Sequence, residues 1–358
     1  MKITARHRYQ WLWGCLLTGG LLLFVACADD SSDEPQVTLQ LSSVTREGET
    51  TPTPEEVESG SIRLFIATAD DYTSGSFNGT SGTWTNNGAA VKENTQYYFY
   101  GYMPNDNNVV NSTSSSITKP SSGDYSKGVT MTLSGLPVLT TEDICVIVGV
   151  QRVTNDTKSV ATKGAYGYLS GVANENHVNL LMDHLYTKLQ LRFCVEKDYY
   201  ALRRIHLKTV TLKSSYVAKD TKVTATVNLK AGSGVSVEGV TFSDPAATRP
   251  DTPETISLLT DGDVNLSEAP AYTELGNTVN CPYRLFDNDG TYLSVVSTYD
   301  VYDAKNNLLI RENCTAENKI KLNNVEPGMR KVLTLTVAPT YLYVLADPDL
   351  DNPTIKIQ

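Results

Sequence analysis

Cys27 and Arg46 are the two residues whose surroundings point to covalent events. Cys27 closes an apolar stretch directly after a small residue, Phe24-Val25-Ala26-Cys27. A small residue and then a cysteine at the end of an apolar stretch is what a lipid-attachment site requires. Arg46 follows an alternating segment, Val37-Thr38-Leu39-Gln40-Leu41, and opens onto a Thr/Pro/Glu stretch from Glu47 to Gly60. A stretch with no apolar period is a linker, so the segment before it is a strand whose connection to the rest could be cut.

Catalytic and metal chemistry finds no comparable pattern. His177, His184 and His206 each sit beside apolar strand residues and lack a nucleophile elbow or a metal-ligand spacing, so they read as structural. Beyond Cys27 the mature chain has Cys145, Cys194, Cys281 and Cys314, with no CxxC among them, which argues against zinc. Cys145 and Cys194 lie inside apolar strands and read as buried thiols. Cys281 and Cys314 lie in polar contexts beside Pro282 and Thr315, and are candidates for a disulfide. Asp347-Pro-Asp349-Leu-Asp351 starts like a calcium loop, but Asn352 stands where the turn needs glycine and Gln358 where a closing Glu belongs. It reads as a turn before a final strand. Gly232, Gly234 and Gly239 lack phosphate-loop spacing. The reading is therefore a non-enzyme with no cofactor and no metal.

The elements around these residues follow from composition. Residues 1–8 are basic and Trp11–Ala26 mostly apolar. That length is short for a membrane span and suits the apolar core of a secretory signal, so 1–26 reads as a lipoprotein signal peptide. Lys2, Arg6 and Arg8 leave with it, so 27 basic residues face 40 acidic ones, a net charge of −13. Such a balance disfavours nucleic acid, which needs a basic face, and adsorption to anionic lipid. With 20 Tyr against 7 Phe and 24 Gly, the mix favours sheet, and tyrosine suits half-wet sheet faces.

Strand patterns recur in two series. The first is Ser61–Thr68, Gln96–Met103, Val129–Leu133, Ile144–Val150 and His177–Met182, separated by Ser/Thr/Asn/Gly loops at Thr73–Gly88 and Asn105–Gly128. The second is Leu189–Val195, Ile205–Lys213, Thr221–Leu229, Ser236–Phe242, Thr255–Leu259, Tyr292–Tyr302, Leu308–Arg311 and Lys331–Leu345. Asp198–Arg204 reads as one helical turn. Short strands with frequent turn signals predict an all-β chain of two tandem β-sandwiches, dividing near residues 182–187. The expected plan is an acidic tether, first strand and cleavable linker over 27–60, an N-terminal sandwich over 61–184 completed by strand 37–44, and a C-terminal sandwich over 185–358. The tyrosine run Tyr97–Tyr102 could stack on sugars, and reads more simply as an amphipathic core strand.

Several stretches together resemble the fimbrillin family of Bacteroidetes, the subunits of type V pili. They are the lipobox at Cys27 with its acidic tether, Tyr97-Tyr-Phe-Tyr-Gly-Tyr-Met-Pro104, and Asp183-His-Leu-Tyr-Thr-Lys-Leu189. The most specific are Tyr299-Asp-Val-Tyr-Asp303, Leu309-Ile-Arg-Glu-Asn-Cys314, Leu335–Leu345 and Asp347–Ile355, similar to the C-terminal domain of minor-type major fimbrial subunits. The resemblance implies two transthyretin-like sandwiches on a lipoprotein of the outer membrane surface, acylated (palmitate) at Cys27. It implies that an arginine-specific protease cuts after Arg46 and removes Cys27–Arg46 with Val37, Leu39 and Leu41. A terminal strand of the next copy, bearing Ile355 and Ile357, would then fill the groove. Implied partners are other copies, anchor and tip subunits, and a host or bacterial surface receptor. Alternative readings are a pilus anchor or tip, or a surface glycan-binding lipoprotein; for the last, only Trp84 remains after the leader.

Overall fold

Alternation along the strands sets the architecture, since neighbouring side chains on a strand point to opposite faces. The structure is a computed structural model describing residues 32–33, 36–41, 55–88, 90–153, 161–172, 176–232, 239–243, 250–286, 293–320, 325–341 and 348–357. The described strands begin with β1 (Ser32–Asp33), β2 (Gln36–Leu41), β3 (Glu55–Glu56), β4 (Gly60–Ala67), β5 (Tyr72–Thr80) and β6 (Thr83–Asn87). Next come β7 (Val91–Lys92), β8 (Gln96–Met103), β9 (Ser116–Thr118), β10 (Gly128–Pro137), β11 (Cys145–Val153), β12 (Gly167–Leu169) and β13 (His177–His184). Then follow β14 (Thr187–Val195), the helical turn α1 (Lys197–Tyr200), β15 (Arg203–Ala218), β16 (Lys222–Lys230), β17 (Val240–Phe242), β18 (Pro253–Leu259) and β19 (Val264–Asn265). The last are β20 (Thr273–Cys281), β21 (Leu293–Asp303), β22 (Leu309–Ile320), β23 (Arg330–Tyr341) and β24 (Pro348–Ile357).

A nine-stranded sheet runs β3-β2-β13-β11-β8-β4-β5-β6 with β12 beside β8, and a four-stranded sheet runs β17-β16-β10-β9. The C-terminal part holds a four-stranded sheet β20-β14-β23-β24 and a five-stranded sheet β18-β15-β21-β22 with β19 on β15. Most pairings are antiparallel. The exceptions are β2 on β13 and β23 on β14. β13 and β14 follow one another with only Leu185 and Tyr186 between them, so consecutive stretches of chain each carry a parallel neighbour.

The middle strands of the nine-stranded sheet, β4, β8, β11 and β13, are buried on both faces. Phe65, Ala67, Tyr100, Tyr102, Val146, Val148 and Leu181 face the main core, which they share with Val129, Met131 and Leu133 of β10. The alternate positions Ile62, Leu64, Ile66, Phe99, Ile147, Val178, Leu180 and Met182 build a second core with Phe77 of β5 and Tyr168 of β12. The sheet curls around this second core, and β6 closely approaches β2. The tyrosine run is thus a core strand: Tyr97, Phe99, Tyr100 and Tyr102 are buried.

Two features differ from the sequence reading. The hairpin β16–β17 lies beyond the expected division at 184/185 yet pairs with β10, from Gly128↔Lys230 to Pro137↔Lys222. Gly128 permits this approach: its φ is +107°, and a Cβ there would sit 2.0 Å from the Leu229 carbonyl oxygen. Turn chemistry marks where strands end but carries no information on which distant strand they meet. The second difference is Cys281 and Cys314, which are free, buried thiols in place of a disulfide. Cys281 ends β20 in one sheet and Cys314 lies on β22 in another. α1 falls where one helical turn was expected.

Candidate assembly edge

β2 is joined to the rest of the chain through residues 42–54, and on the sheet it contacts β13 on one side and the two-residue β3 on the other. Its parallel register pairs Val37 with Val178, Leu39 with Leu180 and Leu41 with Met182. Those three β13 residues are completely buried and all belong to the second core. The backbone register thus sets positions 37, 39 and 41 beside Val178, Leu180 and Met182. β11 and β2 pair with the two edges of β13. Were β2 removed, β13 would become a sheet edge with free backbone groups and an apolar face, a template for another strand.

Cys27 and Arg46 lie outside the described residues. Ile355 lies on β24, which pairs antiparallel with β23 through Val337↔Ile355 and Leu335↔Ile357. Ile355 is buried in the main core with Leu335 and Val337, so the terminal strand is seated in its own chain's sheet. Asp349 and Asp351 lie within β24, while Asp347 is outside the described residues. Trp84 is half-buried, and its ring covers Gly79, where a Cβ would sit 2.7 Å away.

The fold also gathers a side-chain group that sequence spacing did not reveal. Cys145 opposes His184 in the β11–β13 register, and Asp143 precedes Cys145 by two residues. His184 Nδ1 lies 2.8 Å from both carboxylate oxygens of Asp143. It also lies 3.5 Å from Cys145 Sγ, which is itself 3.6 Å from Asp143 Oδ1. Burial opposes ionisation of Asp143, but the His184 hydrogen bond and charge, with the nearby Lys188, hold its carboxyl below the ordinary value. Burial pushes the Cys145 thiol up, and the Asp143 charge adds to this. The group is not a nucleophile–base relay: Cys145 and Asp143 meet the same ring nitrogen, whereas a relay places them on opposite nitrogens. His206 Nδ1 pairs with Asp263 at 2.6 Å and its ring lies against Tyr302, a structural arrangement. Only the alternation Asp143-x-Cys145 was visible in sequence; the cross-strand partner was not.

Among the described residues, no helix is long and apolar enough to cross a membrane. No protein-family model matches the chain, and no curated protein matches it in sequence. Solved structures do resemble it. A fimbrial protein from Bacteroides vulgatus shares 12% identity, with 91% of this chain and 98% of that one covered and a TM-score of 0.49. A fimbrial protein from Bacteroides ovatus shares 9%, covering 85% of this chain and 48% of that one, with a TM-score of 0.36. The fimbrial anchor protein Mfa2 from Porphyromonas gingivalis shares 8%, covering 90% and 97%, with a TM-score of 0.29.

Proposed function

We propose that this chain is a structural pilin subunit of a type V pilus, exported as a surface lipoprotein and polymerised by protease-triggered strand exchange. One observation carries the reading: β2 is a parallel strand laid in register on the apolar row Val178, Leu180 and Met182, and tethered through a linker that contains Arg46. Lipid at Cys27 holds the precursor on the outer membrane. Cleavage after Arg46 frees Cys27–Arg46, and β2 leaves the β13 edge. A terminal strand of the next copy, with Ile355 and Ile357 at alternate positions, takes its place and runs parallel to β13. Backbone hydrogen bonds hold the incoming strand and alternate side chains give its register. Because donor and acceptor surfaces differ, the contact does not close and a filament grows. The assembled filament supports adhesion.

One observation favours an anchor or tip role in the same system. β24 is docked on β23 with Ile355 buried, so in a stalk subunit it must detach before donating. Replacing Arg46 with Ala separates the mechanism from its rivals. The R46A monomer is expected to fold normally and to form no filaments; R46A filaments of normal length would sink the mechanism.

A further inference from the structure

We propose that Asp143, Cys145 and His184 form a binding site for one zinc ion, independent of strand exchange. Three heteroatoms of different chemistry converge there: a carboxylate oxygen, a thiol sulfur and an imidazole nitrogen, separated by 2.8, 3.5 and 3.6 Å. A tetrahedral zinc with Zn–S about 2.3 Å and Zn–N and Zn–O about 2.0–2.1 Å sets its ligand atoms about 3.3–3.6 Å apart. Both sulfur separations already lie in that range. Only the Asp143–His184 separation must open, by about half an ångström, and Asp143 has room to move because its side chain is 27% exposed.

The convergence favours the ion. The ring Nδ1 meets both the Asp143 carboxylate and the Cys145 sulfur, and the thiol is also directed at Asp143, so the thiol proton and the Nδ1 proton are held among these three atoms. Zinc at the common point replaces both protons. The thiol proton leaves to solvent as the thiolate binds, and the imidazole binds through Nδ1 while carrying its proton on Nε2. Thiolate and carboxylate together balance the dication, which a buried site requires. The sulfur–nitrogen set selects zinc over calcium or magnesium, which take oxygen ligands. A fourth ligand, a water, enters on the exposed side of Asp143. The group joins the start of β11 to the end of β13, where the chain passes into β14. An ion there braces the strand that carries the β2 edge.

The test uses the untagged full chain, freed of metal with a chelator and titrated with Co²⁺. One equivalent is expected to give the sulfur-to-cobalt charge-transfer band and the visible bands of a tetrahedral site. Cys145→Ser and His184→Gln should abolish them, while Cys27→Ser, which removes the leader-junction thiol, should leave them intact. Zinc should raise the thermal midpoint of the wild type and leave that of H184Q unmoved. Absence of the charge-transfer band, or its persistence in C145S, would overturn the assignment. Should C145S fail to fold, X-ray absorption of the zinc-loaded Cys27→Ser chain decides. A shell containing one sulfur supports the site, and a shell of nitrogen and oxygen alone refutes it.

Discussion

The β2–β13 register makes a quantitative demand on two residues 141 positions apart. Leu39 is paired with Leu180, and Leu180 is fully buried in the second core. Truncating a fully buried leucine to alanine costs about 2–5 kcal/mol, from lost transfer energy and the cavity left behind. If Leu39 packs over Leu180 as the register places it, the two truncations share one cavity. The double variant should then be less destabilised than the sum of the singles, by about 0.5–3 kcal/mol. The cycle Leu39→Ala, Leu180→Ala and their combination, read by urea unfolding at constant m, measures this directly. A matched cycle pairs Leu39→Ala with Val295→Ala. Val295 is equally buried but lies in the five-stranded sheet, so the pair should add within about 0.3–0.5 kcal/mol. Additivity in the first cycle as close as in the second would refute the seating of β2 on β13, and with it the idea that cleavage uncovers that edge.

Three further outcomes follow. Deleting Thr354–Gln358 removes buried Ile355 and should cost about 1.5–3 kcal/mol while leaving circular dichroism native and stopping filament growth; growth to normal length would contradict the donor role. Asp143 has its folded carboxyl held below the ordinary 3.8, so its contribution is complete above that value and is lost as pH falls through the lower folded value. The urea midpoint should therefore drop as pH falls below the ordinary carboxylate value of 3.8, less steeply in D143N; identical slopes would remove Asp143 from the acid transition. Cys145, Cys194, Cys281 and Cys314 are buried and free, so all four should resist alkylation in the native protein and react in urea, and a Cys281–Cys314 cross-link by mass spectrometry would contradict the fold.

Legibility in the sequence tracked how local the cause was. β4, β8, β13 and β14 were visible because each is a short run rich in apolar and aromatic residues, most of them buried. Thr73–Gly88 read as a loop, yet it forms β5 and β6. Its Ser, Gly and Asn residues carry little β signal, and Phe77 alone of its large side chains is fully buried. The strand is held by pairing with β4 from Gly60↔Gly79 to Ala67↔Tyr72, which overrides propensity. β22 was expected only at Leu308–Arg311 but runs on through Glu312, Asn313 and Lys319, because an edge strand keeps its ladder whether or not its side chains are buried. Non-local pairings were least legible. β10 meeting β16, and Cys145 meeting His184, depend on register between strands far apart in the chain.

The central claim is that β2 is a removable strand, and the N-terminus of assembled protein tests it most directly. Filaments sheared from the cell surface should yield a subunit beginning at Glu47, just after Arg46. An acylated Cys27 on a non-filamentous monomer, with β2 retained, would contradict the account.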